Sequence, residues 1–517
     1  MRPRGRPAYN PAKTDIVLAT LNARWTHAAL GLRDLMANLG DLQARACIEE
    51  FTLNTPLQDV VDRLLAHRPR VLGLGIYIWN VARSTELIPL LRQADPHLKI
   101  VLGGPEVSHE TQGQVIVAMA DHVITGPGDI SFAVLARQLL EGPRPLTKVI
   151  AGTQPELSDI ALPYALYTDT DIAHRHLYVE ASRGCPFKCE FCLSALDKTA
   201  WPFPLPAVLN ELTQLYDRGA RRFRFVDRTF NLKPATSHAI LAFFLERIER
   251  SPTDPVFAHF ELVPDHLPDV LKEVILRFPA GALQFEIGIQ TWNPQVQARI
   301  SRRQDNDQAI ANLQWLRSQT QAHLHVDLIA GLPGEDLDSF AAGFDRLRAL
   351  NPHEIQVGVL KRLRGAPIAR HTLEHGMRYA TEAPYEVRET SAMSAHDLIR
   401  IRRFARYWDL YGNSGRFTRT LPALLNEHPF ARFMAFSDWL HARTAATHRI
   451  ALETQMELLH DWLVETDGQR ADEVGIMLQQ DYAASGAHGR PRFMAKGATL
   501  GHASYRATQW RSDQARS

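Results

Sequence analysis

Ten short apolar runs, most of them separated by helical stretches, restrict this chain more than any other feature of its sequence. Four lie before residue 130: DIVLATL (15–21), VLGLGIYI (71–78), KIVLGG (99–104) and HVITG (122–126). Six follow residue 176: LYVEAS (177–182), RFRFVD (222–227), VFAHFELV (256–263), LQFEIGIQ (283–290), HLHVDLIAGL (323–332) and EIQVGVLK (354–361). Helical patterns between the runs, such as LGLRDLMANLG (30–40) and ATSHAILAFFLERIER (235–250), carry the chain back so that successive strands run parallel. The expected fold class is therefore α/β. Residues 14–142 should form a doubly wound parallel sheet, and residues 176–371 a repeated β-α series, a partial (β/α)6 barrel.

A chain of 517 residues is too long for one ordinary core, which agrees with this division. Residues 143–175, rich in Pro, Asp and Thr, read as a linker. From 372 to 485 apolar residues recur at helical spacing, as in LIRIRRFARYWDLY (398–411), so a mostly helical domain is expected. Its Trp439 and Trp462 read as core. Residues 1–13 read as a disordered arm and 486–517 as a loose tail. The 58 basic and 57 acidic residues leave a net charge of +1, which offers no broad basic face for nucleic acid. No run of about 18 apolar residues predicts a membrane span, and the basic start lacks the apolar stretch of a secretion signal. Four cysteines in a chain this long are no disulfide framework. The expected compartment is the reducing cytoplasm.

Parallel sheets bind ligands beyond the carboxyl ends of their strands. In the first domain those ends run into LNARWTH (21–27), GGPEVS (103–108) and GPGD (126–129). In the second series they carry Asp227, Glu261, Gln290 and Asp327. Three of the four cysteines, Cys185, Cys189 and Cys192, fall in RGCPFKCEFC directly after the first strand of that series, while Cys47 lies far away. Thiolates are soft ligands for zinc or iron–sulfur clusters. Three of them can hold three corners of a [4Fe-4S] cube and leave one iron open. A structural zinc would want a fourth ligand. His174 and His176 are near in sequence, but they precede a strand whose far end bears the cysteines. The spacing favours a cluster over zinc.

C-x3-C-x2-C with Phe191 before the last cysteine, after the first strand of a β/α series, resembles the radical S-adenosylmethionine (SAM) superfamily. FVDRTFN (225–231), FELVPD (260–265), EIGIQTWNP (286–294) and DLIAGLPGE (327–335) fall at the strand ends where that family has motifs. The first domain resembles the Rossmann-like cobalamin (B12)-binding domain that many radical SAM enzymes carry. PYEV (384–387) and YGNSGRF (411–417) resemble the helical domain behind the barrel in one uncharacterised branch. The resemblance implies that Cys185, Cys189 and Cys192 bind the cluster and that SAM chelates its open iron. Phe191 would pack by the adenine, and Glu261, Gly288, Ile289 and Gln290 would surround the ribose and methionine. Asp227 and Asp327 would complete that pocket. Cobalamin would contact Asn22, His27, Tyr77, Trp79, Gly103, Gly104, Gly126 and Gly128.

One departure stands out. The D-x-H-x-x-G motif that places a histidine beneath cobalt is replaced by R-W-T-H-A-A-L-G. Trp25 stands where the aspartate belongs, and three residues separate His27 from Gly31, which argues against a cobalt–His27 bond. The activity implied is C-methylation of an unactivated carbon in a small-molecule or peptide substrate, with a low-potential electron donor such as flavodoxin or ferredoxin. Cyclisation, rearrangement or other non-methylating SAM chemistry are the alternatives within the family. A zinc-bound scaffold or sensor is the alternative outside it.

Overall fold

The computed structural model describes residues 14–197, 199–487, 489 and 491–493. The expected arm and most of the expected tail lie outside them. The first sheet has six strands: β1 (Ile16–Asn22), β2 (Ala46–Thr52), β3 (Val71–Gly75), β4 (Lys99–Gly103), β5 (His122–Thr125) and β6 (Val149–Ala151). Their order is β2-β1-β3-β4-β5-β6, and every pairing is parallel. All seven residues of β1 are buried, as its unbroken apolar run requires of a strand covered on both faces. One face packs Leu72, Ile100 and Leu102 under the helices Leu57–Ala66 and Val81–Ala94. The other packs Leu18, Val71 and Val101 under Leu30–Ala37 and Asp129–Glu141. The order reverses at β1, which has β2 on one side and β3 on the other. In such sheets the ligand crevice opens beside that reversal.

Two of these strands were not expected. ACIEEFT, the β2 run, carries Glu49 and Glu50 side by side and does not read as apolar. β6 and the helix Asp169–His174 fall inside the stretch expected to be a linker, so part of that stretch is sheet and helix.

The second sheet comprises β7 (Leu177–Val179), β8 (Arg222–Phe225), β9 (Phe257–Leu262), β10 (Leu283–Gln290), β11 (His323–Ala330) and β12 (Glu354–Val359). They lie in sequential order. The pairings β7–β8, β9–β10, β10–β11 and β11–β12 are parallel. Burial alternates along β11, with Leu324, Val326, Leu328 and Ala330 buried on one face and His323, His325 and Asp327 on the other.

The described chain forms two compact units. The first runs to Arg228 and includes Arg362–Ala369 and Thr381–Tyr385; the second holds Thr229–Lys361, Arg370–Ala380 and the chain from Glu386 onward. In the second unit the helices Ala395–Tyr411 and Pro429–Thr444 meet over an aromatic cluster. Phe404 packs on Phe430 and Phe433 with ring centroids 5.0 and 4.9 Å apart. Trp439 and Trp462 pack edge to face at 5.5 Å; Trp462 is buried as expected, whereas Trp439 is half-buried at the edge of the cluster. No described helix is long and apolar enough to cross a membrane.

Candidate functional site

The carboxyl ends of β3, β4 and β5 open onto a cavity of about 230 Å³ in the first unit. Glycines dominate its wall: Gly73, Gly75, Gly103, Gly104, Gly126 and Gly128 all line it. Gly104 is dictated by backbone, because its φ is +106° and a Cβ there would lie 2.5 Å from the Ile76 carbonyl oxygen. Gly103 is different. It has no left-handed φ, and the nearest protein atom to an added Cβ is 4.0 Å away. Of the residues expected to contact cobalamin, Tyr77, Gly103, Gly104, Gly126 and Gly128 line the cavity. The Tyr77 ring stacks on Trp79, 4.4 Å away and 7° from parallel, and Trp79 remains about half exposed. Fully buried Asn80 fixes this turn: its Oδ1 accepts from Tyr77 N, and its amide donates to Thr20 Oγ1 and the Leu21 and Gly75 carbonyls.

One end of the cavity is polar. Asp34, Asp129, Glu180 and Arg183 line it together. Arg183 Nη1 donates to both Asp129 oxygens at 3.0 Å, and its Nε and Nη2 donate to Glu180 Oε1 at 3.0 and 2.7 Å. Asp34 is left with a longer approach of 3.7 Å from Arg183 Nη2. Its Oδ1 is buried with no hydrogen-bond partner. Burial first, and then the Glu180 charge, push the Asp34 carboxyl well above the usual carboxylate range. None of these four residues was expected from the sequence. They lie up to 149 positions apart (183 − 34), and each alone reads as an ordinary surface charge.

Asn22, His27 and Trp79 do not line the cavity. Asn22 donates to the His27 carbonyl at 2.9 Å and to Glu50 at 3.0 Å, which ties down the loop after β1. His27 Nδ1 lies 2.6 Å from Tyr178 Oη. Burial, and then Arg224, Arg24 and Arg175, lower its pKa to about 4, so the ring is neutral. Below it, Arg33 and Arg175 pair with Glu50 and Asp171 at 2.7–3.0 Å.

The cysteine loop leaves β7 in the same unit. Cys185 and Cys189 are buried and Cys192 half-buried. Gly184 has φ +84°, and a side chain there would collide with the Thr199 carbonyl, so the loop can fold back and let Cys185 N donate to the Asp197 carbonyl at 3.3 Å. Asp227 secures the root of the loop: it accepts from Ala181 N at 2.9 Å and from Ser182 Oγ at 2.5 Å. Its burial raises its pKa to about 6. Phe191 is half-buried on the loop. Among the described residues, the one set of three candidate metal-ligand atoms within 4.8 Å of one another is His371, Glu374 and His375. The three thiols are therefore spread wider than that. A single tetrahedral zinc with bonds of about 2.3 Å needs sulfurs only about 3.8 Å apart.

The other expected SAM contacts lie in the second unit. Glu261 on β9 pairs with Glu286 on β10, and Gly288 pairs with Asp327 on β11. The register then slips between Gly288 and Gln290. Gln290 takes a left-handed φ of +69°, costing about 1–3 kcal/mol for a residue with a Cβ, and its Oε1 is buried without a partner. Ile289 between them is fully buried. Asp327 Oδ1 lies 3.2 Å from His325 Nε2.

Residues 17–136 match the B12 binding domain family, and residues 179–347 match the Radical SAM superfamily. The chain thus joins a B12 binding domain to a radical SAM domain. Residues 373–515 of this radical SAM protein match a third family, Protein of unknown function (DUF4080). It is similar to the cobalamin-dependent radical SAM methyltransferase TokK of Streptomyces tokunonensis, 26% identical over 350 residues, 62% of this chain and 50% of the relative. It is also similar to 2-(S-pantetheinyl)-carbapenam-3-carboxylate methyltransferase of Streptantibioticus cattleyicolor, 23% identical over 76% of this chain and 65% of the relative. The matched region thus spans about half to two thirds of these curated relatives. The radical SAM methyltransferase TsrM of Kitasatospora setae, solved with cobalamin and a [4Fe-4S] cluster, shares the fold with a TM-score of 0.60 at 16% identity. That match covers 91% of this chain and all of TsrM.

Proposed function

We propose that this protein is a cobalamin-dependent radical SAM methyltransferase acting on an unactivated carbon of a small-molecule or peptide substrate. One observation carries this reading. A single compact unit holds both a three-cysteine loop at the carboxyl end of a strand and a glycine-walled cavity at the carboxyl ends of a parallel sheet. Three cysteines on one short loop supply the soft ligands of a cluster and leave one iron open, and the buried, unpartnered Asp34 Oδ1 beside open Gly103 suits a cavity built for a polar, flat ligand.

In this reading Cys185, Cys189 and Cys192 hold the [4Fe-4S] cluster, and Tyr77, Gly103, Gly104, Gly126 and Gly128 surround cobalamin. When bound, the cluster supplies one electron to the SAM sulfonium, and cobalamin carries the methyl group. Phe191, Glu261, Gly288, Ile289, Gln290 and Asp327 bind SAM. Asp227 shapes the backbone from which the cysteine loop springs. Asn22 and His27 hold the loop after β1, and Trp79 offers its exposed face to the cofactor. A flavodoxin or ferredoxin in the cytoplasm supplies the electron. That both similar enzymes are methyltransferases supports methyl transfer over other SAM chemistry.

The test is anaerobic reconstitution with iron, sulfide and hydroxocobalamin, followed by mass spectrometry after incubation with SAM and a reductant. The expected products are 5′-deoxyadenosine and methylated cofactor, both lost in the Cys185→Ala, Cys189→Ala, Cys192→Ala variant. Bound zinc with neither product would defeat the proposal. 5′-Deoxyadenosine without corrinoid uptake would remove its cobalamin half.

A further inference from the structure

The polar end of the cavity holds three carboxyl groups and one guanidinium. Arg183 makes its hydrogen bonds to Asp129 and Glu180, and Asp34 stands 3.7 Å from its Nη2. We infer that Asp34 is a neutral carboxylic acid that donates a hydrogen bond to the heteroaromatic base of the cobalamin nucleotide tail. This rests on the cavity being the cobalamin site.

Three observations lead there. First, the geometry leaves Asp34 over. An arginine presents five N–H donors in a fixed fork. With Nη1 turned to Asp129 and Nε and Nη2 bonded to Glu180, the third buried carboxylate keeps only a 3.7 Å approach from Nη2, beyond hydrogen-bond distance. The groups that face Asp34 do not change this. They are Glu180, Asp129 and Arg183, with the hydroxyls of Tyr77, Tyr164 and Tyr167 sensing its charge. Only Arg183 is cationic among them, and it is already matched. Two acids and one base leave a net charge of −1, and a third ionised acid in the same low-dielectric space is disfavoured. A proton on Asp34 is the resolution.

Second, that proton has nowhere to go within the protein. Asp34 Oδ1 is buried and unpartnered, although Asp34 lines a cavity. Buried polar atoms in native proteins are nearly always bonded, so an orphan at a cavity wall points to a ligand atom as its partner. An acid kept neutral by burial is a donor, which selects a ligand acceptor rather than a ligand N–H.

Third, the wall beside it suits a flat ring. Gly103 needs to be glycine for neither its backbone nor the protein around it, since an added Cβ meets nothing closer than 4.0 Å. The space is kept open for something else. A benzimidazole has flat faces and a ring nitrogen that accepts a hydrogen bond when it is not bound to cobalt. Asp34 is a positioning residue: it holds the tail and does not touch the reacting atoms.

The experiment compares two corrinoids. Full-length protein is titrated with hydroxocobalamin and with cobinamide, which keeps the corrin ring and lacks the nucleotide tail, and uptake is followed by absorbance after equilibrium dialysis. Wild type should prefer cobalamin. Asp34→Leu should lose about tenfold in cobalamin affinity, the cost of leaving an acceptor unpaired, with cobinamide binding unchanged. That unchanged binding also shows that the variant is folded. Asp34→Asn keeps an N–H donor of similar size, so it should retain most of the preference for the tail. Wild-type preference should weaken as the pH rises and Asp34 ionises, while the Asn variant stays flat with pH. If Asp34→Leu keeps the full preference, or Asn behaves like Leu, the inference is overturned and the cavity reading survives. If wild type takes up neither corrinoid, the cobalamin reading itself falls.

Discussion

Two polar clusters fasten the segment around residues 171–183 to the first sheet. In one, Arg33 and Arg175 meet Glu50 and Asp171, two cations against two anions, and each contact lies at 2.7–3.0 Å. In the other, Arg183 faces Asp34, Asp129 and Glu180, one cation against three acids. Burial does not separate them, for every carboxylate in both is largely withdrawn from solvent. The charge count does. A balanced buried network leaves no net charge to be met from outside, even though Arg33 Nε in it has no hydrogen-bond partner. An unbalanced one must take up a proton or a ligand. The first cluster lies off the cavity and the second forms its wall, so surplus charge marks the site where matched charge marks the scaffold.

The sharpest way to break this contrast is to unbalance the matched cluster. Arg175→Met leaves Glu50 and Asp171 to share Arg33 alone. Removing one partner of a buried ion network costs about 3–5 kcal/mol, because the opposite charge stays buried and unpaired. Urea unfolding should show a lower midpoint with an unchanged slope. A loss under about 1 kcal/mol would mean that water reaches the network and that the two clusters do not differ in kind.

The clusters should also answer pH with opposite signs. Arginine hydrogen bonds and charges, outweighing burial, hold Glu50 and Asp171 below their ordinary values. Their contribution is therefore present above the unfolded carboxylate pKa, near 4, and is lost as the pH falls through their folded values. Burial holds Asp34 and Glu180 above their ordinary values. The stability tied to them is complete below their unfolded pKa and drains away as the pH rises through the folded ones. Glu50→Gln should flatten the acid limb of stability against pH, with a net loss at neutrality. Asp34→Asn should flatten the limb on which stability falls as the pH rises, with a net gain at its upper end. Identical profiles for the two variants would erase the distinction.

Much of this was legible in the sequence, and the gaps have physical causes. The buried strands of both sheets announced themselves because a parallel strand covered on both faces must be apolar throughout. The cysteine loop was legible because three thiols in eight positions have few other uses. β2 stayed hidden because its glutamates look solvated; Glu50 is tolerable in a strand because of Arg33 and Arg175, the latter 125 residues away, and Glu49 because of Arg63 and His67. The acid cluster stayed hidden for the same reason, since only folding brings Asp34 and Arg183 together. Asp227 was expected at a strand end and is there, but its oxygens are taken by Ala181 N and Ser182 Oγ. Gln290 was expected in the pocket; its left-handed φ could not be read from a run that alternates like any strand.

The smallest effect on stability belongs to Gly103, and it tests whether the unbalanced cluster borders a ligand site at all. Glycine in a strand is normally a weakness, because it costs backbone entropy and packs nothing. Gly104, next to it, has the excuse of a φ of +106° and the Ile76 carbonyl 2.5 Å from an added Cβ. Gly103 has neither, so Gly103→Val places a strand-favouring side chain into open cavity. Stability should move by no more than about 0.5 kcal/mol, as for a substitution that meets no structural feature. Gly104→Val should unfold the protein at distinctly lower urea. If the cavity exists for a cofactor, Gly103→Val should nevertheless lose at least about tenfold in hydroxocobalamin affinity, the scale of one excluded contact. Retained uptake would mean that the cofactor lies elsewhere, and the surplus acids beside Arg183 would then need another partner.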